Sequence, residues 1–513
     1  MKKLIIFLLS CLYISLTFSQ PEIEWSKTYG GSDYDRGRDV APTNDGGYVI
    51  TGYSYSVDGD ITSNNGFSEF WIVKIDSVGN MEWQKSYGGS SEEKAFSIEQ
   101  TSDGGYVVGG QVESVNDGDV SGFNGVWDHW VVKLDSAGNL EWQKCLGGSD
   151  FDYGYAAREV PSGGYISVGD AKSNDGMITY NHGEEDVWVV KLDSVGNMEW
   201  QKCYGGSESE VGMDIRPTAD GGFVIAGSTK SENGDVTDHF DNYDFWIIKI
   251  DSIGSIQWEN CYGGGGSDRA CSINLTDDGG YIVAGDTKSE TGQVTGFHAD
   301  IDAWIIKIDS VGNLEWQKCV GGSDLDYAFS VMQDLDGRYI FAGYSDSKDG
   351  DVYSDWNKYD YWVVKLSMSG NILWQKCMGS YGWDFGRAIC QAHDGGYIVA
   401  GDALSPSGEV PPIQGWSDYW IIKLPPYEIG VPELSFNQHI TIYPNPARDF
   451  INIQSKDINS YNLIIMNIHG ETVYSELKVN SNIKINVSDY PKGIYVIKIS
   501  GKKLIEIRKV IIY

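Results

Sequence analysis

Seven times along the chain a tryptophan stands in a short run that is apolar on both faces and closes on a lysine. These tryptophans are Trp71, Trp130, Trp188, Trp246, Trp304, Trp362 and Trp420. A run such as Phe70-Trp71-Ile72-Val73 has no polar alternation, which predicts a strand buried between two neighbours. A second tryptophan precedes a Gly-Gly pair (Gly379-Ser380 in the last case) at Trp25, Trp83, Trp142, Trp200, Trp258, Trp316 and Trp374, at intervals of 58 residues with one of 59. Each unit predicts four short strands. In the first they are Gly37–Thr43, Tyr48–Ser54, Phe70–Asp76 and Met81–Tyr87, with turns at Asp45-Gly46-Gly47 and Ser77-Val78-Gly79-Asn80. Gly and Asn supply the positive φ that tight hairpins need. Four strands repeated seven times define an all-β fold, a seven-bladed β-propeller. The last unit, about 386–424, holds only three strands. The missing kind lies at the other end of the chain, as Ile23–Tyr29. That N-terminal strand is expected to pair with Trp420–Leu424 and close the ring, hiding a sheet edge.

Composition fits this picture. The 513 residues include 64 glycines and 13% aromatics, and no stretch reads as a long amphipathic helix. Lys2 and Lys3 followed by an apolar run to Phe18 read as a secretory signal peptide, cut after Ser19. No later segment approaches the roughly 20 apolar residues of a membrane span. The expected organisation is a signal peptide at 1–19, the propeller at 20–424, a Pro-containing linker at 425–437 and a small β-sandwich at 438–513.

Net charge is −35, unevenly spread. Residues 437–513 hold ten basic and six acidic side chains, whereas residues 20–436 hold 26 basic and 67 acidic ones. A body this acidic repels nucleic acid and anionic lipid. Of the cysteines, Cys145, Cys203, Cys261, Cys319 and Cys377 fill one slot of the repeat, where the first two units carry Thr28 and Ser86. Equivalent sites in different blades lie too far apart to bridge, so these read as packing residues.

Ten residues past each Gly-Gly tryptophan lies a carboxylate: Asp35, Glu93, Asp152, Glu210, Asp268, Asp326 and Asp384. Two further on is always Gly or Ala, which suits the crowded start of an innermost strand. This places seven carboxylates near one mouth of the central channel. A cation funnel is the functional reading. The structural reading, that each accepts backbone N–H bonds, is preferred because the feature recurs in every blade. The same holds for the carboxylates two before the other tryptophan (Glu69, Asp128, Asp186, Asp244, Asp302, Asp360, Asp418). With the lysines three after it, they suggest repeated ion pairs. The loops Asp58-Gly59-Asp60, Asp117-Gly118-Asp119 and Asp349-Gly350-Asp351 offer calcium-type oxygens. Their third position is Met177, Asp235, Gln293 and Glu409 in the other units, and the fixed part, Ser then Gly three or four on, describes a turn. No cofactor is therefore expected, with calcium as the alternative.

Antiparallel strands place the strand two-to-three loops on the same face as the carboxylate ring. These loops differ between units and carry Trp127, Tyr180, His239, Trp356, Tyr359 and Trp416. Aromatic side chains in variable loops are anchors for a glycan or a protein partner. Two functions follow. One is a non-enzymatic binding or adhesion protein. The alternative is a glycan-active hydrolase or lyase on a propeller scaffold. No H-E-x-x-H or G-x-S-x-G occurs, and the departures from repeat symmetry are mostly loop aromatics, which favours binding.

The pattern G-G-S-x-x-[DE], D-G-G-Y-x-x-x-G, D-x-W-x-x-K-x-D-x-x-G-N-x-x-W, over about 22–424, resembles bacterial β-propeller repeats of the SBBP type. The turn from Leu134 to Trp142 is similar to the tryptophan-docking turn of quinoprotein propellers, a likeness of blade geometry. Tyr443-Pro444-Asn445-Pro446, Gly493-Ile494-Tyr495-Val496 and the terminus Lys509-Val510-Ile511-Ile512-Tyr513 resemble the type IX secretion C-terminal sorting domain of Bacteroidota. That resemblance implies export across the outer membrane through the type IX machinery, to the outer cell surface or the extracellular space.

Overall fold

The computed structural model describes residues 20–354, 358–426, 440–443, 447–455, 461–467, 472–479, 482–488, 490–500 and 505–512. The signal peptide and Trp356 lie outside the described residues. The chain divides into two compact units between Pro426 and Tyr427.

The first unit contains seven four-stranded antiparallel sheets, six of them running in chain order from the inner to the outer strand. Blade 1 comprises Asp35–Pro42, Tyr48–Ser54, Glu69–Ile75 and Met81–Tyr87. The expected boundaries hold to within two residues; the innermost strand starts earlier, at the carboxylate itself. Blade 7 is built from both ends of the propeller. Asp384–Gln391, Tyr397–Ala403 and Asp418–Leu424 are completed by Trp25–Tyr29, which pairs with the third strand from Trp25 opposite Lys423 to Tyr29 opposite Tyr419. The ring is thus closed by the N-terminal strand.

Every second and third strand is buried along almost its whole length. The inner tryptophans are fully buried, each contributing roughly 1.5–3 kcal/mol or more from apolar burial. Their indole N–H groups are not wasted: Trp71 donates to Gln84 at 3.0 Å, Trp188 to Gln201 at 2.9 Å and Trp420 to Ser26 at 2.8 Å. The outer tryptophans tie blades together. A Cβ on Gly138 would lie 2.8 Å from the Trp83 ring, and one on Gly196 would lie 2.9 Å from Trp142. The outer turn of each blade therefore rests on the tryptophan of the one before. Tyr204 reinforces this by donating to the Gly254 carbonyl at 2.7 Å.

The repeated lysines are buried and ion-paired within their blades, but not with the carboxylates expected. Lys74 meets Asp45 at 2.9 Å and Glu82 at 2.7 Å, and Lys133 meets Asp103 and Glu141 at 2.9 Å each. Glu69 and Lys74 stand at opposite ends of one strand, too far apart to touch.

The second unit is a small sandwich. A three-stranded sheet (Ile440–Tyr443, Phe450–Ser455, Ile483–Asn486) shares an apolar core with a four-stranded sheet (Thr472–Val479, Tyr461–Asn467, Gly493–Ser500, Ile505–Ile512). Ile451, Ile453, Leu463, Ile465, Ile497 and Ile499 fill it.

Candidate functional site

All seven first-ring carboxylates are fully buried. Asp35 accepts the Gly31 amide at 2.7 Å and the Ser56 hydroxyl at 3.0 Å; Asp152 accepts Gly148 at 2.7 Å and Ser173 at 2.7 Å; Asp326 accepts Gly322 at 2.7 Å and Ser347 at 2.8 Å. Glu93, Glu210, Asp268 and Asp384 take the equivalent amide. The second ring lies beside the first across each blade junction. Glycine separates the two: a Cβ on Gly30 would lie 2.6 Å from both Asp35 and Asp418. Burial pushes Asp35, Glu69, Asp128 and Asp244 up to about 7 and Asp360 to about 8, with the facing carboxylate adding to the shift. The first Asp-Gly-Asp loop is bonded to backbone as well. Asp58 accepts the Ser32 amide at 2.7 Å and Asp60 the Gly30 amide at 3.0 Å.

The loop aromatics separate into three groups. Trp416 and Tyr180 are 66% and 63% exposed, Trp416 stacking on Tyr34 with ring centres 6.1 Å apart. His239 turns inward to the Asn242 carbonyl at 2.7 Å. Trp127 and Tyr359 pack on side chains of the innermost strands. Trp127 lies under the Lys94 ammonium at 5.0 Å, and Tyr359 packs on Tyr344, Phe385 and Trp383.

The channel wall itself is where the blades differ. Each innermost strand has a β-bulge two residues after its small residue's carboxylate, as between Gly37 and Asp39 or between Gly386 and Ala388. The extra residue is left without a ladder partner, and its side chain is re-aimed. The seven bulge residues are Arg38, Phe96, Tyr155, Met213, Cys271, Phe329 and Arg387, and all line one hollow of about 90 Å³ in the channel. Small residues are needed just before them because the inner strands crowd: a Cβ on Gly37 would stand 2.4 Å from the Gly401 carbonyl. Met213, Cys271 and Phe329 also wall a larger chamber of about 380 Å³ at blades 4 to 6, with Val211, Ser228, Tyr243, Arg269, Asp286 and Tyr327. That is within the range of small-ligand pockets. Burial pushes Asp286 up to about 7, against the pull of Arg269 and Lys288, and Arg269 stacks over Tyr243 at 5.5 Å.

The arginines of the propeller are concentrated on its innermost strands. Between residues 20 and 426 every arginine except Arg338 lies on an innermost strand: Arg36, Arg38, Arg158, Arg216, Arg269 and Arg387. The sequence reading fixed on constant positions and on loops, and missed this wall. The signal was present in the second and fourth residues of each innermost strand, which vary from blade to blade inside an otherwise constant element.

Fold and site together define a secreted seven-bladed propeller with a small export domain. Residues 441–513 match the family described as secretion system C-terminal sorting domain. The chain is accordingly a cargo of type IX secretion, addressed to the cell surface or the extracellular space. No helix among the described residues is long and apolar enough to cross a membrane. Among curated proteins it is 23% identical over 246 residues to Regulatory protein FlaEY of Caulobacter vibrioides, covering 42% of this chain and 25% of that one. Among solved structures it is similar to PorZ, a surface component of the type-IX secretion system of Porphyromonas gingivalis, at 11% identity and a TM-score of 0.23, covering 93% of this chain and 81% of that one. It is also similar to puromycin hydrolase, at 12% identity and a TM-score of 0.38, covering 71% and 50%. Neither likeness bears on what this propeller binds.

Proposed function

We propose that the propeller is a non-enzymatic binding module. Its ligand, a glycan or a protein segment, enters the channel mouth on the face that carries the strand two-to-three loops. The observation that carries this reading is that blade-to-blade variation concentrates in side chains that the bulges turn into the channel. A scaffold has no use for five different residue types at one repeated place, whereas a site for an asymmetric ligand requires such variety. Trp127 and Tyr359 extend the same surface outward; Tyr180 and Trp416 belong to the loops around it. No cofactor enters this reading.

The second reading, a glycan-active enzyme, draws on one observation: Asp286 lines the larger chamber with its pKa near 7, a value suited to a general acid. Glycoside hydrolysis ordinarily needs two carboxylates about 5–9.5 Å apart, and Asp286 is the one carboxylate in the wall of that chamber. Binding is therefore favoured.

The test uses the full secreted chain on a glycan array and on a panel of purified surface proteins, beside a Val211→Trp variant that fills the chamber. The reading expects saturable binding that Val211→Trp abolishes at an unchanged melting temperature. Binding that survives Val211→Trp would place the site elsewhere. Sugar release from a glycan that is abolished in Asp286→Asn would establish the enzymatic reading instead.

A further inference from the structure

The channel hollow contains four guanidinium groups but only two carboxylates, those of Asp39 and Asp214. Two of the arginines use them. Arg158 meets Asp214 at 3.1 Å and Asp39 at 4.0 Å, and Arg216 meets Asp214 at 3.2 Å; Glu99 adds its charge to the same pair. Arg38 and Arg387 are left over. Arg38 donates to the Tyr53 hydroxyl at 2.7 Å and stacks on Tyr53 and Phe96. Arg387 lies over three rings, Phe329 at 4.6 Å, Tyr344 at 5.1 Å and Phe385 at 5.4 Å. The charge of Asp402 acts on both, but its ion pair is with Arg36, at 3.3 Å. Both Arg38 and Arg387 keep a buried Nε–H with no acceptor. Burial and the charge of Arg38 together push the Arg387 pKa down. Two like charges held in one hollow, each with an unmet donor, form an arrangement that an anion would relieve.

We infer that Arg38 and Arg387 form an anion-recognition site, and that the ligand is an acidic carbohydrate whose carboxylate enters between them. This rests on the reading that the channel mouth is the binding site. Guanidinium forks match a carboxylate bidentately, and rings stacked behind them fix their planes. The adjoining chamber suits the rest of such a ligand. Its aromatic walls, Tyr243, Tyr327 and Phe329, match the apolar faces of a sugar ring, and Ser228, Arg269 and Asp286 match its hydroxyl edge. A compact chamber of about 380 Å³ accommodates one or two rings rather than an extended peptide. Four guanidinium groups against two carboxylates in the hollow also make it a locally basic point in a chain of net charge −35, one that attracts an anion at short range.

The probes are a galacturonate trisaccharide and the neutral galactose trisaccharide, titrated calorimetrically into the full chain and into Arg387→Met, Arg387→Lys and Trp416→Ala. The site predicts at least tenfold tighter binding of the uronide. Arg387→Met abolishes that preference, Arg387→Lys retains part of it, and Trp416→Ala leaves it intact. Circular dichroism and melting confirm that each variant is folded. Equal binding of both sugars, or a preference that survives Arg387→Met, overturns the anion site while the channel-mouth reading stands. Binding of neither sugar also overturns it, and the reading is then decided separately by the Val211→Trp comparison.

Discussion

The first residue of each innermost strand and the fourth are about 10 Å apart, yet they follow opposite rules. The first is Asp or Glu in all seven blades, buried and bonded to the amide four residues before it. The fourth is Arg, Phe, Tyr, Met, Cys, Phe and Arg in turn, and faces the channel. Both lie on the same element, in the same crowded ring of strands, so the difference is not one of local structure. It separates what holds a blade to its neighbour from what the assembled ring presents in its channel. A contact that every junction must make is repeated at every junction. A surface that meets one asymmetric molecule is not.

The largest effect that would sharpen this division is on the closing strand. Removing residues 21–28 leaves the third strand of blade 7 without its ladder and takes Tyr29 out of register. The melting temperature should fall by several degrees and the protein should aggregate on heating, since a bare edge is exposed; an unchanged melting curve would contradict the closure. Next comes a scaffold residue set against a wall residue. Trp188→Ala removes a fully buried indole and should cost about 3–5 kcal/mol, while Arg387→Met should change stability by no more than about 1 kcal/mol. Urea unfolding of the two variants measures the gap, and equal losses would erase the distinction drawn here.

A third, smaller effect is pH dependence of the junctions. Asp35, Glu69, Asp128 and Asp244 have folded pKa values raised to about 7, so the folded state binds their protons more tightly than the unfolded chain. Stability from these groups is present below the unfolded carboxylate pKa of about 4 and drains away as pH rises through 7. Asp45, Asp103, Asp220 and Asp278 oppose this at the acid end. Against burial, their hydroxyl and lysine partners hold them at about 2, a contribution lost as pH falls toward that value. Melting temperature should therefore peak between about pH 4 and 6 and decline toward pH 8; a rise from pH 5 to 8 would show that the junction carboxyls are not held as described. The smallest expected effect is that of a calcium chelator. Asp58 and Asp60 already accept backbone amides, so melting should not move on its addition.

The fold was legible because propeller geometry repeats and the sequence repeats with it. Trp71, Gly79 and Trp83 each recur at a fixed interval, and their packing explains why they must. The constant carboxylates were legible too, down to their hydrogen-bonded role at Asp35 and Asp152. The channel wall was not, for a physical reason. The bulge after Gly37 adds one residue, so strict alternation misassigns which side of the strand Arg38 faces. Its variation also makes it disappear when the units are read as copies. The lysine partners were misread because Glu69 and Lys74, five apart in sequence, are a full strand length apart in space, whereas Asp45 is brought to Lys74 by the hairpin. Of the loop aromatics, Tyr359 and Trp127 make contacts with Tyr344 and Lys94 that no local pattern shows.

The central claim is that the ligand is held by the variable channel wall and not by the exposed loops. The most direct measurement is the affinity of the full chain for one array-identified ligand, compared among the parent, Arg387→Met, Trp416→Ala and the double variant. The account predicts a loss of tenfold or more for Arg387→Met, little change for Trp416→Ala, and a double variant no weaker than Arg387→Met alone. Full affinity in Arg387→Met with the loss confined to Trp416→Ala would put the site on the loops and contradict the account.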